Sequence, residues 1–167
     1  AIFSILDHGA RHGTPAHLAV QATIDACAAA GGGRVLVPAG VWRINGAIHL
    51  RSNVDLHLER DALLRFGKPG EIELPIVLTR WEGIEVYNYS PLIYARDCTN
   101  VAITGQGVCD GQGGQGFFQW RVHQDRDKAA LRDMGEAGTP VADRRFGPGH
   151  FLRPAFVQFF RCTNVLI

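Results

Sequence analysis

Apolar and polar positions along this chain alternate in short bursts and only once recur every three to four residues. Arg34 to Val37, Trp42 to Ile44, Ala47 to Leu50, Val54 to Leu58 and Leu63 to Phe66 each have the period of two of a strand. Pro38-Ala39-Gly40, Asn45-Gly46 and Arg51-Ser52-Asn53 punctuate them as turns. Strands this short, with no helix between them, disfavour a doubly wound α/β sheet and favour three sheets wound as successive coils. The exception is near the start, where Val20, Ile24 and Cys27 fall at i, i+4 and i+7. Thr14 suits an N-cap, Pro15 the first helical position, and Gly31-Gly32-Gly33 the stop, so residues of about 14 to 30 are predicted to form a helix. Its stripe would cover the open apolar end of a solenoid, making it an N-terminal cap.

A repeated phrase gives the coils a common corner. Ser52-Asn53-Val54-Asp55-Leu56, Cys98-Thr99-Asn100-Val101-Ala102-Ile103 and Cys162-Thr163-Asn164-Val165-Leu166-Ile167 each set an Asn before a β-branched residue and alternating apolar positions. Asn tolerates the left-handed turn conformation, and the Val after it favours a strand. The phrase predicts an all-β right-handed parallel β-helix, one domain over residues 1–167. The Asn positions are spaced more widely than one coil of roughly 22 residues requires, so insertions are expected. Residues 67–90 hold an aromatic stretch, Arg80 to Tyr89; residues 111–152 hold a Gly-rich turn, Phe117-Phe118-Gln119-Trp120, a charged helical stretch to Met134 and a Gly/Pro loop. Long insertions on one face of a solenoid usually build its binding surface; the alternative is that they merely cover its flank.

Composition narrows the chemistry. Lys and Arg number 17 against 16 Asp and Glu, so no overall field points to nucleic acid or an anionic membrane. Apolar runs fall well short of the roughly 18 to 20 residues of a membrane span, which predicts a soluble chain. Cys27, Cys98, Cys109 and Cys162 contain no zinc-type pair. Cys98 and Cys162 share one repeat position, and coils about 4.8 Å apart would bring them within reach of a disulfide or, in the preferred reading, of a stack of small thiols. His8 and His12 lack a third ligand, so no metal site is expected.

Further stretches resemble a known family. Phe3-Ser4-Ile5-Leu6-Asp7-His8-Gly9-Ala10, then Ala22 to Cys27 running into Gly31-Gly32-Gly33-Arg34-Val35-Leu36-Val37-Pro38-Ala39-Gly40, resembles the N-terminal region of glycoside hydrolase family 28, the polygalacturonases. Leu78-Thr79-Arg80-Trp81-Glu82-Gly83, Gly105-Gln106-Gly107-Val108-Cys109-Asp110-Gly111 and Leu152-Arg153-Pro154-Ala155-Phe156-Val157-Gln158-Phe159 extend the likeness, in an order that resembles the bacterial branch. One local departure is Thr14-Pro15-Ala16-His17, where relatives usually carry an Asp pair before the helix. The resemblance implies inverting hydrolysis of α-linked galacturonan or rhamnogalacturonan in pectin, in a secreted or periplasmic protein, without a cofactor.

The family's Asn-x-Asp, Asp-Asp, Gly-His-Gly and Arg-x-Lys motifs lie downstream of the Leu-Arg-Pro stretch. The chain is therefore expected to be the N-terminal portion of a longer polypeptide, inactive alone, with its remaining coils as partner. Asn53-Val54-Asp55, Arg126-Asp127-Lys128 and Gly149-His150 match those motifs only in part and out of order, so no catalytic residue is assigned. A uronate polymer calls for Arg or Lys on the carboxylate and aromatic faces on the sugar. Arg80, Trp81, Glu82, Tyr87, Asn88 and Arg153 are the candidate substrate-binding residues. The bland alternatives are that Glu82 and Glu85 make structural or solvated ion pairs, that Trp81 and Tyr87 pack the loop, and that Arg153 bonds turn carbonyls. Asp110 is read as a turn residue. Two rival functions share the solenoid: a pectate-lyase-like enzyme, which would want a Ca²⁺-binding carboxylate cluster, and a non-enzymatic tailspike or carbohydrate-binding stalk.

Overall fold

The alternation read from the sequence becomes real pairing in a computed structural model that describes residues 1–167. One coil runs through β2 (Gly33–Val37), β3 (Gly40–Ile44) and β4 (Ile48–His49), and the next through β5 (Val54–Leu58), β6 (Ala62–Phe66) and β9 (Ile93–Arg96). A third runs through β10 (Thr99–Gly105), β11 (Val108–Asp110) and β12 (Val157–Phe160) and returns in β13 (Thr163–Leu166), while β1 (Ile2–Ser4) precedes the first. Strands of successive coils pair in parallel in three sheets, ordered β1-β2-β5-β10-β13, β3-β6-β11 and β4-β9-β12. This is a parallel β-helix.

The repeated Asn marks the corner into the first sheet. Asn53, Asn100 and Asn164 have φ of 63°, 55° and 59°, a region in which other L-residues cost roughly 1–2 kcal/mol each. Their side chains form a ladder along the stack: Asn100 Nδ2 donates to Asn53 Oδ1 at 3.1 Å and Asn164 Nδ2 to Asn100 Oδ1 at 2.6 Å. Alternation sends the other side chains inward. In β5, Val54, Leu56 and Leu58 are buried while Asp55 and His57 face out, and the inner residues join one core with Trp42, Ile44, Leu64, Phe66 and Ile93. Gly105, at φ 103°, is required where the third coil turns, because a Cβ there would lie 1.9 Å from the Leu58 carbonyl oxygen.

The helix predicted from residue 14 is α1 (His17–Ala29), with Val20, Ile24 and Cys27 buried as its spacing demanded. Its start differs from the prediction. Thr14 is not the N-cap: its hydroxyl donates to the Arg11 carbonyl at 3.3 Å. Pro15 is bridged to Arg43, and Ala16 N–H donates to the Arg43 carbonyl at 2.7 Å. Pairing with β3 thus keeps this segment extended, and Ala16 caps the helix without a side-chain bond. All four cysteines are free thiols, so Cys98 and Cys162 stack without a disulfide, in line with the paired Thr99 and Thr163 beside them.

The insertions are ordered. Residues 67–90 contain an antiparallel hairpin, β7 (Ile76–Trp81) and β8 (Ile84–Tyr89), turning at Glu82 and Gly83, both with positive φ, as a two-residue hairpin turn requires. Residues 111–152 contain α2 (Asp125–Glu136). Hairpin, helix and the return segment share a small core of Val86, Leu131, Phe146 and Leu152. Burying each of these side chains contributes about 1.5–3 kcal/mol, enough to dock the insertions as one wall beside the third coil.

Candidate functional site

That wall and the turn after β11 enclose a groove of 680 Å³, lined by Arg80, Trp81 and Glu82 from the hairpin, Asp110 to Gly113, Phe117 and Phe118, and Arg153 to Phe156 with Gln158. Four of the six sequence candidates therefore meet there: Arg80, Trp81, Glu82 and Arg153. Tyr87 and Asn88 do not line it. Neighbouring strand residues point to opposite faces, and the two side chains go separate ways. Tyr87 carries the Arg145 guanidinium 4.6 Å from its ring centre. Asn88 is buried beneath the hairpin, and its Nδ2 donates to the Leu152 carbonyl at 3.0 Å.

Asn88 still bears on the groove through Arg153. It holds the Leu152 carbonyl while Trp81 Nε1 donates to the next carbonyl, that of Arg153, at 3.0 Å. Arg153 Nε in turn donates to Gln124 Oε1 at 2.9 Å. The backbone of Arg153 is thus fixed from the hairpin and its side chain from the residue before α2. One element further back, Asp127, 7% exposed, accepts from His150 Nδ1 and the Phe151 N–H, each at 2.7 Å. Two stretches that match remote motifs only in part therefore meet in space, and what they do is anchor the segment leading to Arg153.

The groove's charges are not equally free. Glu82 spends both oxygens, one on Lys128 Nζ at 2.8 Å and the other on Arg132 Nη2 at 2.9 Å. These bonds, that to Lys128 first, hold its carboxyl below the ordinary glutamate value, so it is ionised at neutral pH and has no proton to donate. Asp110 is the turn residue it was read to be, accepting from the Gln112 N–H at 2.8 Å. The cations are freer. Arg153 has a neutral partner in Gln124, and Arg80 reaches Glu85 only at 3.8 Å, an oxygen that Arg161 already holds at 3.1 Å. Positive charge therefore faces the groove, beside Trp81 and the exposed rings of Phe118 and Phe156. That combination suits a ring-shaped ligand bearing a carboxylate.

Phe118, Phe156 and Gln158 were not among the sequence candidates. Gln158 was the findable one, a polar residue between Val157 and Phe159 in an apolar strand. It accepts from the Thr79 hydroxyl and donates to the Arg80 carbonyl at 3.3 Å, tying β12 to the hairpin.

The Glu82 tether gives a pH test. Lys128 and Arg132 stabilise the carboxylate form, so the proton is taken up only below the ordinary 4.5. The tether is whole above that pH and is lost as acidification passes the lowered value. Amide shifts of residues 82, 128 and 132 should move with a midpoint under 4.5 and stay still in Glu82→Gln; a midpoint at or above the ordinary value would refute the tether.

Comparison with known proteins bears on what the groove belongs to. No protein-family model matches the chain, and none of the curated proteins does. Among solved structures it is similar to a hyperthermoactive exopolygalacturonase from Thermotoga maritima, at 45% identity and TM-score 0.92, covering 99% of this chain and 40% of that one. It is also similar to the family 28 exopolygalacturonase of Yersinia enterocolitica, at 33% identity and TM-score 0.54, covering 66% of this chain and 20% of that one. A protein from Parabacteroides merdae, at 22% identity, TM-score 0.65 and covering 98% of this chain and 62% of that one, is alike in fold alone. The chain thus spans less than half the length of either exopolygalacturonase.

Proposed function

We propose, from the premise that this chain is a relative of the family 28 polygalacturonases, that it forms part of the substrate groove of a glycoside hydrolase acting on a galacturonate-containing pectic polymer. The observation that carries the reading is the convergence of Arg80, Trp81 and Arg153 on one groove whose acidic residues are already engaged. In that groove Arg153 and Arg80 bind sugar carboxylates, and Trp81 with Phe118 and Phe156 supplies apolar faces for the rings.

Inverting hydrolysis needs one carboxyl to protonate the leaving oxygen and a second to activate water, roughly 6.5–9.5 Å apart. Of the two groove carboxylates, Glu82 is locked in ion pairs and Asp110 serves its turn. The catalytic pair therefore belongs to other coils of the parent polypeptide, and this chain is inactive alone. In this reading α1 is the N-terminal cap. Support comes from Gln21, which donates to the His49 carbonyl at 2.9 Å and accepts from the His49 N–H at 2.8 Å, satisfying the free edge of β4. A right-handed winding, the rule for parallel crossovers, and a secreted or periplasmic location complete the proposal, since that is where polymeric pectin is met.

Isothermal titration with trigalacturonate and with uncharged trigalactose tests it, alongside a reducing-end assay on polygalacturonate. The acidic sugar should bind at least tenfold more tightly, an interaction loss of about 1.4 kcal/mol or more without the carboxylates, and no reducing ends should appear. Equal affinity for the two sugars, or turnover, overturns it.

A further inference from the structure

A second cleft, of 480 Å³, lies between the base of the hairpin and the outer face of the β4-β9-β12 sheet, and shares no lining residue with the groove. Its floor carries two arginines, Arg51 and Arg96. His49 pairs in register with Tyr94, the Leu50 N–H donates to the Tyr94 carbonyl at 2.8 Å, and Arg51 and Arg96, each two residues beyond that pair, both line the cleft. Like charges adjacent on neighbouring strands are unfavourable. Each arginine already has one carboxylate partner: Arg51 reaches Asp25 of α1 at 3.0 Å, and Arg96 reaches its chain neighbour Asp97 at 3.4 Å. Each guanidinium has five N–H donors, and a single carboxylate engages only some of them. Both side chains remain nearly half exposed.

The remaining walls are of another kind. Ile76 and Leu78 of the hairpin present an apolar side, and Tyr87 and Tyr94 add rings. The Tyr94 hydroxyl is spent on the Leu78 carbonyl, which fixes that ring against the hairpin. A bare inorganic anion would leave the apolar side and most of the volume unused, whereas a sugar ring carrying a carboxylate fills both. Tyr87, which lies away from the groove, has its place here.

We propose that this cleft is a second carbohydrate site, binding the carboxylate of one uronate residue on Arg51 and Arg96 and its ring against Tyr87 and the Ile76–Leu78 wall. The choice of ligand rests on the acidic-glycan reading above; the site itself does not depend on the groove. A long polymer could engage both, which raises the local concentration of chain at the groove.

The experiment is a titration of the isotopically labelled 167-residue chain with trigalacturonate, followed by amide shifts. Two sets of residues should respond: one around 80–82, 112 and 153, the other around 50–51, 76–78 and 96. Arg51→Gln with Arg96→Gln should weaken the second set at least tenfold and leave the first, and Arg153→Ala should do the reverse. Sodium sulfate at equal charge should compete only weakly with the sugar in the cleft. Shifts confined to the groove overturn this inference and leave the proposed function standing; shifts confined to the cleft do the opposite; silence in both overturns both. A cleft response that survives the double variant, or that sulfate reproduces in full, also overturns the site as described. Should the double variant lose its native spectrum, Arg51→Gln alone, with the wild-type map, carries the same decision.

Discussion

Replacing Trp42 with Ala should cost about 3–5 kcal/mol of stability, the range for deleting a buried aromatic side chain. Trp42 is completely buried in the core and packs its ring 4.0 Å from that of His12. Its indole N–H donates to the Pro38 carbonyl at 2.8 Å, at the corner between β2 and β3. The substitution therefore leaves a cavity and also an acceptor without its donor. Domains are stable by only about 5–15 kcal/mol in total, so the variant should unfold at much lower urea. Trp42→Phe keeps most of the apolar volume and should recover more than half of the loss. A loss below about 1 kcal/mol in Trp42→Ala, the level of a surface change, would contradict the packing of the coil interior given above.

The second large effect is on binding. Arg153→Ala should weaken trigalacturonate binding by about 1.5–3 kcal/mol, the worth of a hydrogen bond to a charged group, or roughly 10- to 150-fold. The fold should persist, because the Arg153 backbone is held by Trp81 from its own carbonyl and by Asn88 through Leu152, while the loss of the donor to buried Gln124 should lower stability by about 1–3 kcal/mol. Arg153→Lys should restore only part of the affinity, since an ammonium cannot make the paired planar contact of a guanidinium. The wild-type interaction should also weaken as salt rises from 0.05 to 0.5 M, by screening. Unchanged affinity in Arg153→Ala, measured by calorimetry, would return this residue to a structural role.

The coils were legible because their signals are local and repeated. Asn53, Asn100 and Asn164 announce a left-handed corner each time, and the Val after each Asn lies in a strand of the same sheet. Helix α1 was legible in its buried stripe and not in its start, because the extended path of Thr14 and Pro15 is set by pairing with Arg43, a residue far along the chain. The aromatic stretch Arg80 to Tyr89 is legible as an insertion, but its hairpin is not, since Glu82-Gly83 is a weaker turn signal than Asn-Gly or Asp-Gly. Without the hairpin's register the sequence could not say that Arg80 and Trp81 reach the groove while Tyr87 and Asn88 turn from it. Glu82 illustrates the same limit: its partners Lys128 and Arg132 come from a helix more than forty residues on. Which charges are free in the groove is a tertiary property, and it decides the site.

The groove as a binding site for an acidic glycan is tested most directly by a crystal structure of this chain soaked with trigalacturonate. A sugar ring should lie against Trp81, Phe118 or Phe156, with its carboxylate within hydrogen-bond distance, about 2.7–3.2 Å, of the Arg153 or Arg80 guanidinium. A groove left empty at saturating sugar, or a sugar bound there with its carboxylate turned away from both arginines, would contradict it.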